Sequence, residues 1–158
     1  MTSFLRRRLT HPILELLRQG VTPEKIAMSL AFGLGIGIFP VLGVSTILCT
    51  LVAIVLRLNL PAIQLVNYLA APLQLALIIP FVRVGEHLLR LAPQPLSISE
   101  GFALMAQGVL HSIVGLWDAI VHAALGWIVI GPFLIYALYR VFKPLLIRAA
   151  RIRLAVAP

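Results

Sequence analysis

Three long apolar stretches separated by short polar turns set the pattern of this chain. Ile26 to Leu56 runs for 31 residues without a formal charge, Leu58 to Val82 for 25 and Ala119 to Tyr139 for 21. A helix spans a bilayer with about 20 apolar residues. The alternation of apolar and polar positions that a transmembrane barrel strand needs is absent. The pattern therefore predicts an all-α fold: a polytopic helical membrane protein with a broken first helix pair and kinked later helices.

The break follows from length. A straight helix from Ile26 to Leu56 would measure about 46 Å against a hydrocarbon core of about 30 Å. Thr22-Pro23-Glu24 reads as a helix start, with Thr22 at the N-cap, Pro23 in the first turn and Glu24 at the positive end of the dipole. The helix then enters Phe32-Gly33-Leu34-Gly35-Ile36-Gly37-Ile38-Phe39-Pro40. Gly33 and Gly37 are spaced for close helix packing, Gly35 on the other side makes the backbone cheap to unwind, and Pro40 cannot continue the helix cleanly. We place the break at Phe39 to Gly43, between half-length helices at roughly 23 to 38 and 44 to 57. The second half begins at Val44-Ser45-Thr46 with unpaired amides and two hydroxyls, as where broken transporter helices meet anionic groups. A dry proline kink with Ser45 and Thr46 bonded back to the helix explains the same residues.

After Leu56-Arg57-Leu58-Asn59-Leu60 a helix restarts at Pro61 and is expected to cross to residue 82, with kinks at Pro72 and Pro80. Gln64, Asn67, Ala71 and Gln74 share one face. Such amides either bond neighbouring helices, each contributing about 0.6 to 2 kcal/mol, or line a polar path. Leu91 to Leu96 reads as a linker, and Ser97-Ile98-Ser99-Glu100 as a capping box opening another helix. On that helix Gly101, Gly108 and Gly115 recur every seven residues and leave a groove for a partner. Beside them runs a polar stripe of Glu100, Gln107, His111, Asp118 and His122. The stripe suits a surface helix or a cavity wall; the gap from His111 to Asp118 and the lack of further ligands argue against a metal. In the last segment Gly126 and Gly131-Pro132 predict a kink.

Composition and charge sharpen this reading. Of 158 residues 61% are hydrophobic and 11% charged, too few polar groups to cover a soluble domain of this size. The net charge of +8 gathers at the ends: five basic against two acidic residues from Met1 to Lys25, and five against none from Arg140 to Pro158. Basic flanks mark cytoplasmic segments, not a nucleic-acid groove. The chain divides accordingly into a basic amphipathic N-terminal segment at 1–21, a membrane-embedded helical domain at 22–139 and a basic cytoplasmic tail at 140–158. Arg6, Arg7 and Arg8 face anionic headgroups in this reading. The single Cys49 excludes an internal disulfide or cysteine metal site.

From about Arg6 to Leu91, the order of basic start, Gly-Val-Thr-Pro-Glu-Lys-Ile-Ala, Gly-rich run into Phe39-Pro40, Gly43-Val44-Ser45-Thr46, Leu56-Arg57-Leu58-Asn59-Leu60-Pro61 and Leu75 to Leu89 resembles one family. It is the uncharacterised bacterial membrane family known as domain of unknown function 2062. The resemblance implies a multi-pass bacterial inner-membrane protein and carries over no catalytic residue. The chain departs from the family's Asn-Pro in the middle segment, where it has Ala71-Pro72.

Two topologies place both termini in the cytoplasm. In one, 23–57 dips in and returns, 60–82 crosses out, 99–117 lies on the surface and 119–139 crosses back; in the other, four segments each cross. No nucleophile, phosphate loop or dinucleotide fingerprint is present, so the sequence points away from an enzyme and calls for no cofactor or metal. The first functional expectation is transport or handling of a lipid or small anion, with Gly43, Ser45, Thr46, Arg57, Asn67, Gln74 and Arg83 as candidate contacts. The second is a structural subunit that holds a membrane protein partner or a second copy through its glycines. A third makes the basic termini a lipid-sensing surface.

Overall fold

The computed structural model describes residues 22–91, 106, 114 and 117–156, with backbone only for 151–156. The N-terminal segment, the linker, the capping box at Ser97, and the candidate residues Gly101, Gly108, Gly115, Glu100, Gln107 and His111 lie outside the described residues. Among the described residues every regular element is a helix.

Helix α1, Pro23–Gly37, starts as expected: Thr22 Oγ1 accepts a bond from the Lys25 amide at 3.3 Å, and Pro23 and Glu24 occupy the first turn. It stops where the glycines meet Pro40. The Ile38 and Phe39 amides close onto the carbonyls of Leu34 and Ile36, at 3.2 and 2.8 Å, and Gly43 then takes φ 82° before α2, Val44–Val55. The rod from Ile26 to Leu56 is therefore broken at the expected residues.

Helix α2 runs back along α1. After Arg57, which adopts φ 52°, Asn59 caps α3, Leu60–Leu69, by accepting the Ala62 amide on Oδ1 at 2.9 Å. The Asn59 amide donates to Ser29 Oγ at 3.0 Å, so the start of α3 lies beside the first half of α1. The two helices run parallel. A methyl group on Gly33 would stand 2.6 Å from the Ile63 carbonyl oxygen, and one on Gly37 2.8 Å from Cβ of Ala70. Gly33 and Gly37 are thus the packing pair the spacing predicted. Gly35 is not an unwinding point: it sits within α1 and packs against Ile135 on the opposite side.

The expected single segment from 60 to 82 is instead two helices. Helix α3 ends at Ala70, and α4, Ala71–Leu89, continues past Pro80 and Arg83 to an Arg90 cap at φ 55°. Pro72 has no N–H for the Tyr68 carbonyl, which weakens the ladder there. The last segment also differs, because α5, Trp117–Val156, is one helix of 40 residues that passes through Gly126, Pro132 and Arg140 without ending. It is about 60 Å long. Its second half lies antiparallel to α1, tied at the far end by Lys143 Nζ to Glu24 Oε1 at 2.7 Å, and its first half lies antiparallel to α4.

The core follows these contacts. Ile26, Ala27 and Leu146 close one end; Ile36, Cys49, Ala53 and Ile63 fill the space between α1, α2 and α3; Ile38, Ala70, Phe81, Val82, Ala119 and Ala123 close the side toward α4. Two stretches, Ala71–Leu89 and Trp117–Ala150, are long and apolar enough to cross a membrane, and only 28% of the apolar window in each is buried.

Candidate functional site

The break in the first helix pair is surrounded by amides. Gln74, at the start of α4, donates Nε2 to the Phe39 carbonyl at 2.5 Å, which also accepts from the Val41 amide at 2.8 Å. Phe39 in turn meets the edge of Trp127 with ring centroids 5.0 Å apart, and Trp127 Nε1 donates to the Gly35 carbonyl at 2.9 Å. Pro40 is buried beneath this arrangement, whereas Leu42 and Gly43 are exposed. A side chain on Gly43 would meet nothing within 4 Å.

On the other side of the break, the amide stripe locks α2 to α3. Gln64 Nε2 donates to the Thr46 carbonyl at 3.0 Å and to Thr50 Oγ1 at 2.8 Å; Thr50 Oγ1 itself donates to the Thr46 carbonyl at 2.8 Å. Asn67 Nδ2 donates to Thr46 Oγ1 and to Gln64 Oε1, both at 3.2 Å. The stripe thus bonds neighbouring helices, one of the two roles its spacing allowed. One atom is left over. Asn67 Oδ1 is buried without a hydrogen-bond partner, and an unmet buried acceptor costs about 1 to 3 kcal/mol.

The candidate contact residues fall into two groups. Gly43, Ser45, Thr46, Asn67 and Gln74 gather at the break, with Ser45 buried. Arg57 and Arg83 do not join them. Arg57 is exposed at the far end of α2, about 18 Å of helix away, and Arg83 pairs on α4 with buried Glu86 at 2.8 Å. Neither lies at the break with the other candidate contacts.

The polar stripe also divides. Asp118 is exposed, but His122 is buried in the α4–α5 contact, and its Nδ1 has no partner. There the backbone of His122 lies directly against Gly85 of α4, and Gly126, one turn along α5, lies against the carbonyl of Phe81, one turn back on α4. This reciprocal pair of glycines was not apparent in the sequence, because the two lie on different helices and only the crossing matches them. Among the described residues no three His, Cys, Asp or Glu side chains group as metal ligands would.

A helix folded back at mid-length, buttressed by a parallel helix and held by a single long one, defines an all-helical class of protein with two candidate membrane spans. The chain belongs to the family described as an uncharacterized protein conserved in bacteria (DUF2062), whose model matches residues 6–154. The resemblance read from the first half thus extends over nearly the whole sequence. No curated protein and no solved structure matches the chain.

Proposed function

We propose that the chain is a multi-pass protein of the bacterial inner membrane that handles a lipid or small anion, without enzymatic chemistry, at the break between α1 and α2. The observation that carries this reading is the open first turn of α2. Gly43 and Leu42 are uncovered there while the amides behind them are engaged. Bilayer residence is supported by the outward faces. Ile47, Leu51, Ile54 and Val55 on α2, Leu65 and Leu69 on α3 and Phe133 on α5 are exposed apolar side chains. In water so much contiguous apolar surface would drive association.

Of the two topologies, the hydrogen bond between Ser29 and Asn59 favours the first. It sets the end of the α1–α2 pair back at the level where the pair begins, so 23–57 dips and returns, α3 and α4 cross together, and α5 crosses back. The first turn of α2 then lies at mid-depth, where non-helical backbone is tolerated only against protein or a wet cavity. For the structural-subunit reading, Gly33, Gly35, Gly37, Gly85 and Gly126 are filled by contacts within the chain, and the groove of Gly101, Gly108 and Gly115 that carries it lies outside the described residues.

Thiol labelling in right-side-out and inverted vesicles, on a Cys49→Ala background, tests the arrangement. Lys25→Cys and Arg57→Cys are expected to label from the same face, Leu91→Cys from the other, and Gly43→Cys only with a small, water-borne reagent. Labelling of Arg57→Cys and Lys25→Cys from opposite faces would overturn the topology. For the handling of lipid or anion, Ser45→Ala and Thr46→Ala should reproduce the defect of a deletion strain in growth or uptake; wild-type behaviour of both would sink that reading.

A further inference from the structure

The polar groups at the break leave an unequal remainder. The first amides of a helix have no partner within it, and among the described residues no carbonyl outside the helix accepts a bond from the amide of Val44, Ser45 or Thr46. The hydroxyl of Thr46 accepts from Asn67, which leaves its own hydrogen to donate. Beside these donors one buried side-chain acceptor is unmet, Asn67 Oδ1, on a residue only 4% exposed.

The neighbours fix which way the Asn67 amide points. Both hydrogens of Gln64 Nε2 are spent on the Thr46 carbonyl and on Thr50 Oγ1, so Gln64 Oε1 can only accept. Its donor is Asn67 Nδ2. The amide therefore cannot turn over to satisfy its oxygen, and Oδ1 stays unmet beside the first turn of α2.

A ligand complementary to this set has oxygens bearing negative charge for the helix start and one hydrogen to give. The exposed Leu42 and Gly43 open the site sideways, and Ile47, Leu69 and Leu73, on residues next to the site, offer exposed apolar surface for acyl chains. We infer that the first turn of α2 and Asn67 bind the phosphodiester of a lipid headgroup that also carries an N–H or O–H donor. The donor meets Asn67 Oδ1 while the phosphate oxygens take the amides of Val44 to Thr46 and the Thr46 hydroxyl. This inference rests on the proposed handling of a lipid or anion at the break and names the substrate class.

The test compares two lipids with the same phosphate and acyl chains. Phosphatidylethanolamine has N–H donors; phosphatidylcholine, with its trimethylated nitrogen, has none. Titrated into the purified full chain in detergent and followed by native mass spectrometry, phosphatidylethanolamine is expected to bind about fivefold more tightly, the worth of one hydrogen bond to a buried acceptor. In Asn67→Ala the preference should vanish while phosphatidylcholine affinity holds. Thr46→Val, which keeps the shape and the Asn67 oxygen, should weaken both lipids alike by about threefold. It decides the matter if Asn67→Ala does not fold. Equal affinity of the wild type for the two lipids, a preference that survives Asn67→Ala, or unchanged affinities in Thr46→Val would overturn the inference. Displacement of bound phosphatidylethanolamine by millimolar inorganic phosphate would overturn the lipid assignment in favour of a free anion. Equal binding of both lipids sinks the headgroup assignment alone; binding of neither lipid nor inorganic phosphate sinks the handling reading with it.

Discussion

The chain is interrupted twice near the same place, after α1 and after α3, and the outcomes are opposite. At Phe39 to Gly43 the backbone reverses and α2 runs back along α1. At Ala70 it stays in the helical region, at φ −77° and ψ −11°, and the next helix carries on. Both places have a proline, Pro40 and Pro72, so proline does not set the difference. Gly43 does, because φ 82° with ψ −34° is closed to most residues. A missing N–H loosens a helix, whereas a residue free to take positive φ lets the chain fold over.

The interruptions touch, and the most damaging change is one that pushes them apart. Gly37→Leu places a side chain where even a methyl group would approach Ala70 and the Asn67 backbone closely. We expect a loss of about 3 kcal/mol or more in unfolding free energy, read by denaturant titration in mixed micelles. Gly43→Val strains the reversal without creating any clash. A loss of about 1 to 3 kcal/mol is expected, and a Gly43→Val variant as stable as the wild type would show that the reversal does not need the glycine. Gln74→Leu strips the Phe39 carbonyl of one of its two donors, leaving the Val41 amide, while keeping the bulk, at a cost of about 1 kcal/mol by the same titration. Pro72→Ala should change stability by less than about 1 kcal/mol, since Ala70 is already helical; a protected new amide at residue 72 and slower exchange in the turn after it would mark one continuous helix from 60 to 89.

What could be read in advance follows the range of the forces involved. The start of α1 and the break were visible because Thr22-Pro23-Glu24 and Pro40 to Gly43 act locally, and because 31 uncharged residues exceed one span. The pairing of Gly33 with Gly37 was visible for the same reason. The split at Ala70 was not, since alanine is the best helix former and Pro72 predicts only a kink. The tie from Ser29 to Asn59 joins residues 30 apart, and that from Trp127 to Gly35 residues 92 apart; neither has any signature in sequence. Of the candidate contacts, Thr46, Asn67 and Gln74 come together at the break, as their helical spacing and the expected break allowed. The arginines were misplaced because charge in a sequence says nothing of which end of a helix a neighbour will approach. The His122 stripe was divided by a tertiary contact, Gly85 against its backbone.

The long α5 gives the two interruptions a common mount. It is the one described helix that packs extensively on both α1 and α4, and it grips them on either side of Trp127, whose indole holds the top of α1. A beam fastened on both sides of a pivot moves its two ends in opposite directions. Any tilt of α5 about that indole would draw the Glu24–Lys143 end one way and the His122 end the other, so the fold-back and α4 would answer to a single lever.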